Sequence, residues 1–170
     1  SRIKTNAMAI FDDDDDDEED FDGEEFNSEE AKRDFQREHD RVENMPIMKK
    51  AREIFEIVDS LMELIDEEDD FMAHYRGLLF EDASIICAKI AGAEGGDLYT
   101  LRMENAVVIK IHARSLLTQT SGLKMMGFKE TRYLKVLRDA IEEFRLLFIE
   151  WVNSFDKSND IPDEWGPLFR

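Results

Sequence analysis

The sequence is poor in several features, and each shortage narrows what the chain can be. It contains one cysteine, Cys87, so no disulfide can form within the chain. Cys87 lies in an apolar segment, and a single unpaired cysteine in such a segment is typical of proteins in reducing compartments. No stretch approaches the ~20 apolar residues that a membrane helix needs. The N-terminus also lacks the apolar core of a secretory leader. We therefore expect a soluble cytoplasmic protein that does not bind membranes.

Motifs that carry chemistry are also missing. A dinuclear metal site in a helical bundle needs Glu three residues before His. Here the residues three before His39, His74 and His112 are Gln36, Phe71 and Ile109. The stretch AGAEGGD (residues 91–97) lacks the Gly-Lys-Ser/Thr ending of a phosphate loop. The stretch DEEDD (residues 66–70) lacks the central Gly of a calcium loop. These shortages predict no metal, no cofactor and no enzymatic activity.

Acidic charge is what the chain has in excess, and it is unevenly placed. The formal net charge is −19, and residues 1–30 account for −12 of it, leaving −7 for the rest. A field of this sign repels nucleic acid phosphates and anionic membranes and attracts basic proteins. We therefore expect a basic protein partner and no direct nucleic acid binding.

The acidic arm, residues 1–27, contains six consecutive aspartates from Asp12 to Asp17. Like charges and the poor helix propensity of Asp predict a disordered segment. Phenylalanines interrupt the acids, a composition typical of segments that dock aromatic anchors while charge steers a basic partner. The candidate partner-binding residues are Phe11, Asp14, Asp17, Phe21 and Phe26. There are three alternatives for the arm: it solubilises the protein, it mimics nucleic acid, or it covers bases of the same protein, namely Lys124, Lys129, Arg132 and Lys135.

The remainder of the chain reads as helices. A charged helical arm is predicted over residues 28–44, with few apolar positions. Residues 45–157 then repeat apolar residues at spacings of three and four, in four segments separated by glycine-bearing or acidic turns. Pro46 suits the first turn of the first segment, and Asp97 can cap the third. We predict an all-α protein, an antiparallel up-down-up-down four-helix bundle preceded by a short extra helix. The fourth helix, residues 129–155, carries enough aromatic residues to predict homo-oligomers through that helix.

The C-terminal tail, residues 158–170, contains two prolines that exclude a continuous helix. Trp165 and Phe169 are large apolar side chains that we do not expect to remain free in water. We expect them to pack back onto the bundle, or else to dock a partner.

Two histidines offer the alternative function. The stretch AHYRG (residues 73–77) resembles the histidine phosphotransfer domain, which is also a four-helix bundle. The resemblance implies a phosphorylated His74 with Arg76 beside it, although the spacing from His to Gly is one residue short. His112 is predicted to lie opposite Gly77, as a core histidine or as a base. The preferred interpretation is a non-enzymatic adaptor or regulatory bundle whose arm docks a basic partner.

Overall fold

The computed structural model describes residues 28–166, 168 and 169. Within these residues the chain forms five α-helices and no β-strand. The helices are α1 (Ser28–Glu43), α2 (Pro46–Glu63), α3 (Asp70–Glu94), α4 (Tyr99–Met125) and α5 (Thr131–Asn153). The all-helical prediction is therefore confirmed. The predicted disorder of residues 1–27 falls outside the described residues.

Local chemistry explains where α2 and α3 begin. Pro46 occupies the first turn of α2, where a backbone N–H would have no helical partner. Asp69 caps α3, because its Oδ1 accepts hydrogen bonds from the backbone N–H groups of Phe71 and Met72 at 3.1 and 3.2 Å. The predicted cap at Asp97 is wrong: α4 begins one residue later than that cap requires, with Leu98 at the N-cap position.

The four long helices share one apolar core. α3 packs against α2 and α4, and α5 packs against the same two helices, which is bundle-like packing. Each long helix buries large side chains in this core: Ile54, Leu61, Leu79, Ile86, Ile109, Leu116, Leu137 and Phe144. Burying one such side chain stabilises the fold by roughly 1.5–3 kcal/mol. By contrast, α1 buries only Val42 and lies at the edge of the bundle.

The aromatic side chains of α5 belong to this core. Phe144 and Trp151 are buried, as is Phe155 just after the helix, and Phe148 is half-buried against Trp151 with ring centroids 6.1 Å apart. These rings therefore do not form the exposed surface on which the prediction of self-association rested. Self-association itself stays a prediction.

The segment after α5 is hydrogen-bonded to the start of α4. The backbone N–H of Tyr99 donates to the carbonyl of Asn159 at 2.8 Å, and the Thr100 hydroxyl donates to Asp160 at 2.7 Å. Beyond Asp160, Trp165 is 90% exposed and Leu168 is also exposed. The prediction that the tail packs on the bundle is wrong for these two side chains, because both remain exposed. Phe169 is half-buried and lines a cleft with Tyr99.

Candidate functional site

A groove lies between α4 and α5 on the surface of the bundle. Its volume is about 350 Å³. The walls are mainly apolar and come from both helices: Ala113, Leu117, Ile141, Phe144, Phe148 and Ile149. Among α2–α5, the helices α4 and α5 approach each other closely at fewer positions than the other neighbouring pairs do, and the groove lies between them. An apolar side chain of a peptide fits such a space.

Basic residues surround this apolar floor. Lys110 and Arg114 of α4 and Arg138 and Arg145 of α5 all line the groove, and Glu142 is the one acid among its lining residues. Arg145 pairs with Glu142 at 2.6 Å, and this hydrogen bond holds the pKa of Glu142 below its ordinary value. The rim therefore carries a formal charge of about +3 on a bundle whose total is negative.

The four bases differ in how far they are already engaged. Arg138 crosses from α5 to α4 and donates to the Thr120 hydroxyl at 2.8 Å. Lys110 and Arg114 form no ion pair or hydrogen bond through their side chains with any residue in the described part of the chain. Both are exposed. The two α4 bases are therefore available to an anionic ligand, next to an apolar floor.

A second cluster of side chains connects four helices at one end of the bundle. Its centre is Glu94, the last residue of α3. Its Oε1 accepts from the Arg102 guanidinium at 2.6 Å and from the Trp151 indole N–H at 2.7 Å. Its Oε2 accepts from Arg41 of α1 at 3.1 Å. The side chain of Glu94 is only 7% exposed. Arg102 also lies over the Phe155 ring at 4.1 Å.

This cluster fixes the position of α1. Arg41 donates to Glu38 as well as to Glu94, and these bonds raise the pKa of Arg41 above its ordinary value, Glu38 contributing most. Because Glu94 is bonded to α4 and α5 at the same time, the end of α1 is tied to three helices of the bundle. The helix that leads into the acidic arm therefore has a defined attachment.

A partly buried histidine–carboxylate pair links α3 and α4. His112 Nδ1 lies 2.8 Å from Asp82 Oδ1, and the side chain of Asp82 is 7% exposed. Asp82 Oδ2 is buried without a hydrogen-bond partner among the described residues. A carboxylate in this position orients the imidazole through its Nδ1 atom. The pair is thus either a structural link or a base with a defined tautomer.

The structure corrects the predicted surroundings of the histidines. His112 meets Asp82 and not Gly77, and a Cβ at Gly77 would have no neighbour within 4 Å. His74 is exposed and lines a separate cleft with Phe71 and Gln119. The predicted register between α3 and α4 placed the turn near residue 94. The helices end and begin at Glu94 and Tyr99, and counting from the middle of that loop places position 81, next to Asp82, opposite His112.

The predicted partner-binding residues are not brought together by the described structure. Phe11, Asp14, Asp17, Phe21 and Phe26 lie outside the described residues. Trp165 is exposed, whereas Phe169 is half-buried in the cleft that contains Tyr99. The groove was missed because it depends on how two distant helices lie against each other, although Lys110, Arg114 and Leu117 do share one helix face at spacings of four and three.

Comparison with protein-family models, with characterised proteins and with solved structures finds no significant match for this chain. Within the described ranges, no helix combines the length and the apolar character needed to cross a membrane. In the same residues, no group of three or more His, Cys, Asp or Glu is placed to hold a metal ion.

Proposed function

We propose that this protein is a protein-interaction module without a reaction of its own, and that its acidic arm docks a basic partner in the cytoplasm. The observation that carries the proposal is the arm itself, because residues 1–30 hold a net charge of −12 and three phenylalanines. Charge of this density accelerates encounter with a basic surface, and buried aromatic rings supply the contact area that holds it.

The attachment of α1 supports this function. The arm continues directly into α1, whose far end is tied to the bundle through Arg41 and Val42. Most of α1 is exposed, including Phe35. A charged helix on a packed core is a suitable platform for an arm that must reach a partner. In this proposal α2–α5 form the antiparallel up-down-up-down bundle, which the short connections between successive helices favour.

The experiment is a pull-down from native lysate with the full chain as bait. The first variant replaces Phe11, Phe21 and Phe26 by Ser, and the second replaces Asp12 to Asp17 by Asn. Phe35→Ser is the matched control, an exposed phenylalanine outside the arm. We expect a basic protein that binds the wild type and Phe35→Ser and is lost with both arm variants.

Other outcomes separate the alternatives. Capture that survives the loss of the phenylalanines, fails without the aspartates and is competed by DNA indicates mimicry of nucleic acid. If the wild-type chain captures no basic protein, the arm is a solubilising tail and the proposed function is wrong.

The second candidate function is a histidine-centred activity, favoured by the partnerless Oδ2 of Asp82 beside His112. His74, the residue implied by the phosphotransfer resemblance, has Asp70 and Phe71 in its cleft, and no basic residue lines that cleft. Incubation with a small phosphodonor followed by mass spectrometry tests this function. A phosphohistidine that disappears in His74→Ala or His112→Ala supports it, and an unmodified wild-type chain excludes phosphotransfer.

Self-association through α5 is the remaining proposal. Its outer face exposes Val136, Leu146 and Ile149, which an adjacent copy could cover. Sedimentation of the wild type and of Leu146→Glu tests it, since a dimer formed by this face dissociates when a charge is placed in its centre.

A further inference from the structure

The apolar groove between α4 and α5 lies beside two bases that have no partner in the described structure, and the same chain carries an acidic segment with aromatic residues. We infer that this groove, lined by Lys110, Arg114, Leu117, Arg138, Arg145 and Phe148, is the docking site for residues Phe11–Phe26 of the same molecule. The inference rests on the proposed docking role of the arm and adds its regulation, because a docked arm is withheld from the basic partner.

Complementary charge is the first argument. The segment Phe11–Phe26 contains twelve acids and no base. The groove has four bases against one acid, and that acid, Glu142, is already paired with Arg145. The neighbouring acid Glu143 is likewise paired, with Lys50. The rim is therefore a local positive field in a chain whose net charge is −19, and its best available counter-charge within the molecule is the arm.

Shape is the second argument. A volume of about 350 Å³ is enough for an aromatic ring to enter between the helices, where the half-buried Leu117 and Phe148 form part of the wall. Lys110 and Arg114 are one turn apart on α4, so carboxylates on either side of an inserted ring reach both. Each phenylalanine of the arm is directly adjacent to an acid, as FDDD, DFD and EEF show.

Reach is the third argument. Ile149, at one end of the groove, is two residues from Trp151, which bonds the same Glu94 that holds Arg41. From Arg41 back to Ser28, α1 extends about 20 Å at 1.5 Å per residue. The groove extends about 16 Å along α5 from Arg138 to Ile149 by the same measure. The 17 residues from Phe11 to Ser28 span up to about 56 Å, more than both lengths together.

Tethering makes weak binding sufficient. A short flexible connection gives an effective concentration in the millimolar range. An arm whose intrinsic dissociation constant for the groove is about 1 mM is therefore docked for a large part of the time. A basic partner of higher affinity displaces the arm from the groove. The groove therefore competes with partners for the arm, and weakly binding partners do not displace it.

The test uses paramagnetic relaxation in the full chain. A spin label is attached at Asp14→Cys, and amide signals of the groove are followed in the NMR spectrum. The native Cys87 is buried, and burial raises the pKa of its thiol, so it reacts slowly with the label. We expect loss of signal intensity at Lys110, Arg114 and Arg145 in the labelled chain, unchanged on dilution.

The matched variants locate the site. Lys110→Glu/Arg114→Glu reverses two charges of the groove. Lys129→Glu/Arg132→Glu reverses the same number of exposed charges outside the groove, at two of the bases that the sequence offers as an alternative docking site for the arm. We expect the first variant to restore the groove signals and the second to leave the loss unchanged. A loss that persists in the groove variant, or its absence from the wild type, overturns the inference.

Mixing experiments exclude the other occupant. Isotope-labelled chain without spin label is mixed with spin-labelled chain at natural isotope abundance. If the groove signals of the observed chain are also lost in this mixture, the arm of a second copy occupies the groove and docking within one molecule is wrong. If the arm fails to reach the groove while the pull-down still captures a basic protein, the inference fails and the proposed function stands.

Discussion

Glu94 is the residue on which the greatest number of helices depend. It is the last residue of α3, and its carboxylate accepts hydrogen bonds from side chains of α1, α4 and α5. Arg102 has a further buried nitrogen, Nε, without a partner in the described part of the chain. Removal of Glu94 therefore leaves charged and polar donors with no acceptor in a largely buried place.

We expect Glu94→Ala to lower the free energy of unfolding by about 3 kcal/mol, because it leaves the Arg102 guanidinium without its counter-charge. Urea titration followed by circular dichroism measures the change. Glu56→Ala is the control, an exposed glutamate of α2 that we expect to change stability by less than about 0.5 kcal/mol. Equal effects of the two substitutions would show that the joint around Glu94 does not stabilise the fold.

Two glycines in long helices have opposite roles. Gly77 of α3 has open space where a Cβ would be, whereas a Cβ at Gly122 of α4 would overlap the ring and hydroxyl of Tyr75. We expect Gly77→Ala to stabilise the protein by roughly 0.5–1 kcal/mol, since alanine loses less backbone entropy on folding. We expect Gly122→Ala to destabilise it by roughly 1–3 kcal/mol through the forced shift of Tyr75.

The control for this pair is Tyr75→Ala. In that background the obstacle to Gly122→Ala is gone, so the substitution should become neutral or stabilising when measured by the same urea titration. If Gly122→Ala stays destabilising without the tyrosine ring, the close contact of α3 and α4 at this point is not what requires glycine.

At the scale of the helices, local sequence signals predict where a helix begins better than they predict which residues of other helices it contacts. Pro46 and Asp69 act on the nearest turn, so the starts of α2 and α3 could be read from the sequence. The pairing of Asp82 with His112 depends on the register between α3 and α4, and the groove depends on the separation of α4 and α5. Both are set by packing of many side chains, and no short stretch of sequence encodes them.

The junction of α1 with α2 gives a prediction of pH dependence. Both oxygens of Glu43 accept from Arg52, at 3.1 and 2.7 Å, and this bond lowers the pKa of Glu43 from its ordinary value of 4.5. A carboxyl whose pKa is lower in the folded state stabilises above its unfolded pKa, and the contribution is lost as pH falls through the folded pKa. Glu43→Gln should therefore be less stable than the wild type at pH 7, by about 0.5–1 kcal/mol.

Thermal unfolding of both chains at pH 7 and at acidic pH measures this difference. The two melting temperatures should converge as the pH falls well below 4.5. A difference that is constant with pH would mean that Glu43 acts through packing and not through its charge. Glu56→Gln provides the comparison, an exposed glutamate of α2 that forms no ion pair with the described residues.

At the scale of the whole molecule, charge is separated along the chain. The first 30 residues carry −12 and the rest −7, yet the bundle has a basic rim around one groove. The sequence shows the first fact directly. The second requires the fold, because Lys110 and Arg145 are 35 positions apart and meet only when α4 and α5 pack side by side.

This layout predicts how the size of the molecule responds to salt. Between about 0.1 M and 1 M salt the Debye length falls from ~10 Å to ~3 Å. A free polyacidic arm contracts under these conditions, because its own repulsion is screened. An arm held by a basic groove is released instead, and a released flexible chain of 27 residues has an end-to-end distance of about 28 Å.

Small-angle X-ray scattering should therefore show a radius of gyration that rises with salt for the wild type and falls for Lys110→Glu/Arg114→Glu. The Lys129→Glu/Arg132→Glu chain should behave like the wild type. A radius that falls with salt in all three chains would mean that the arm is already free at low salt, and that its charge serves only partners outside the molecule.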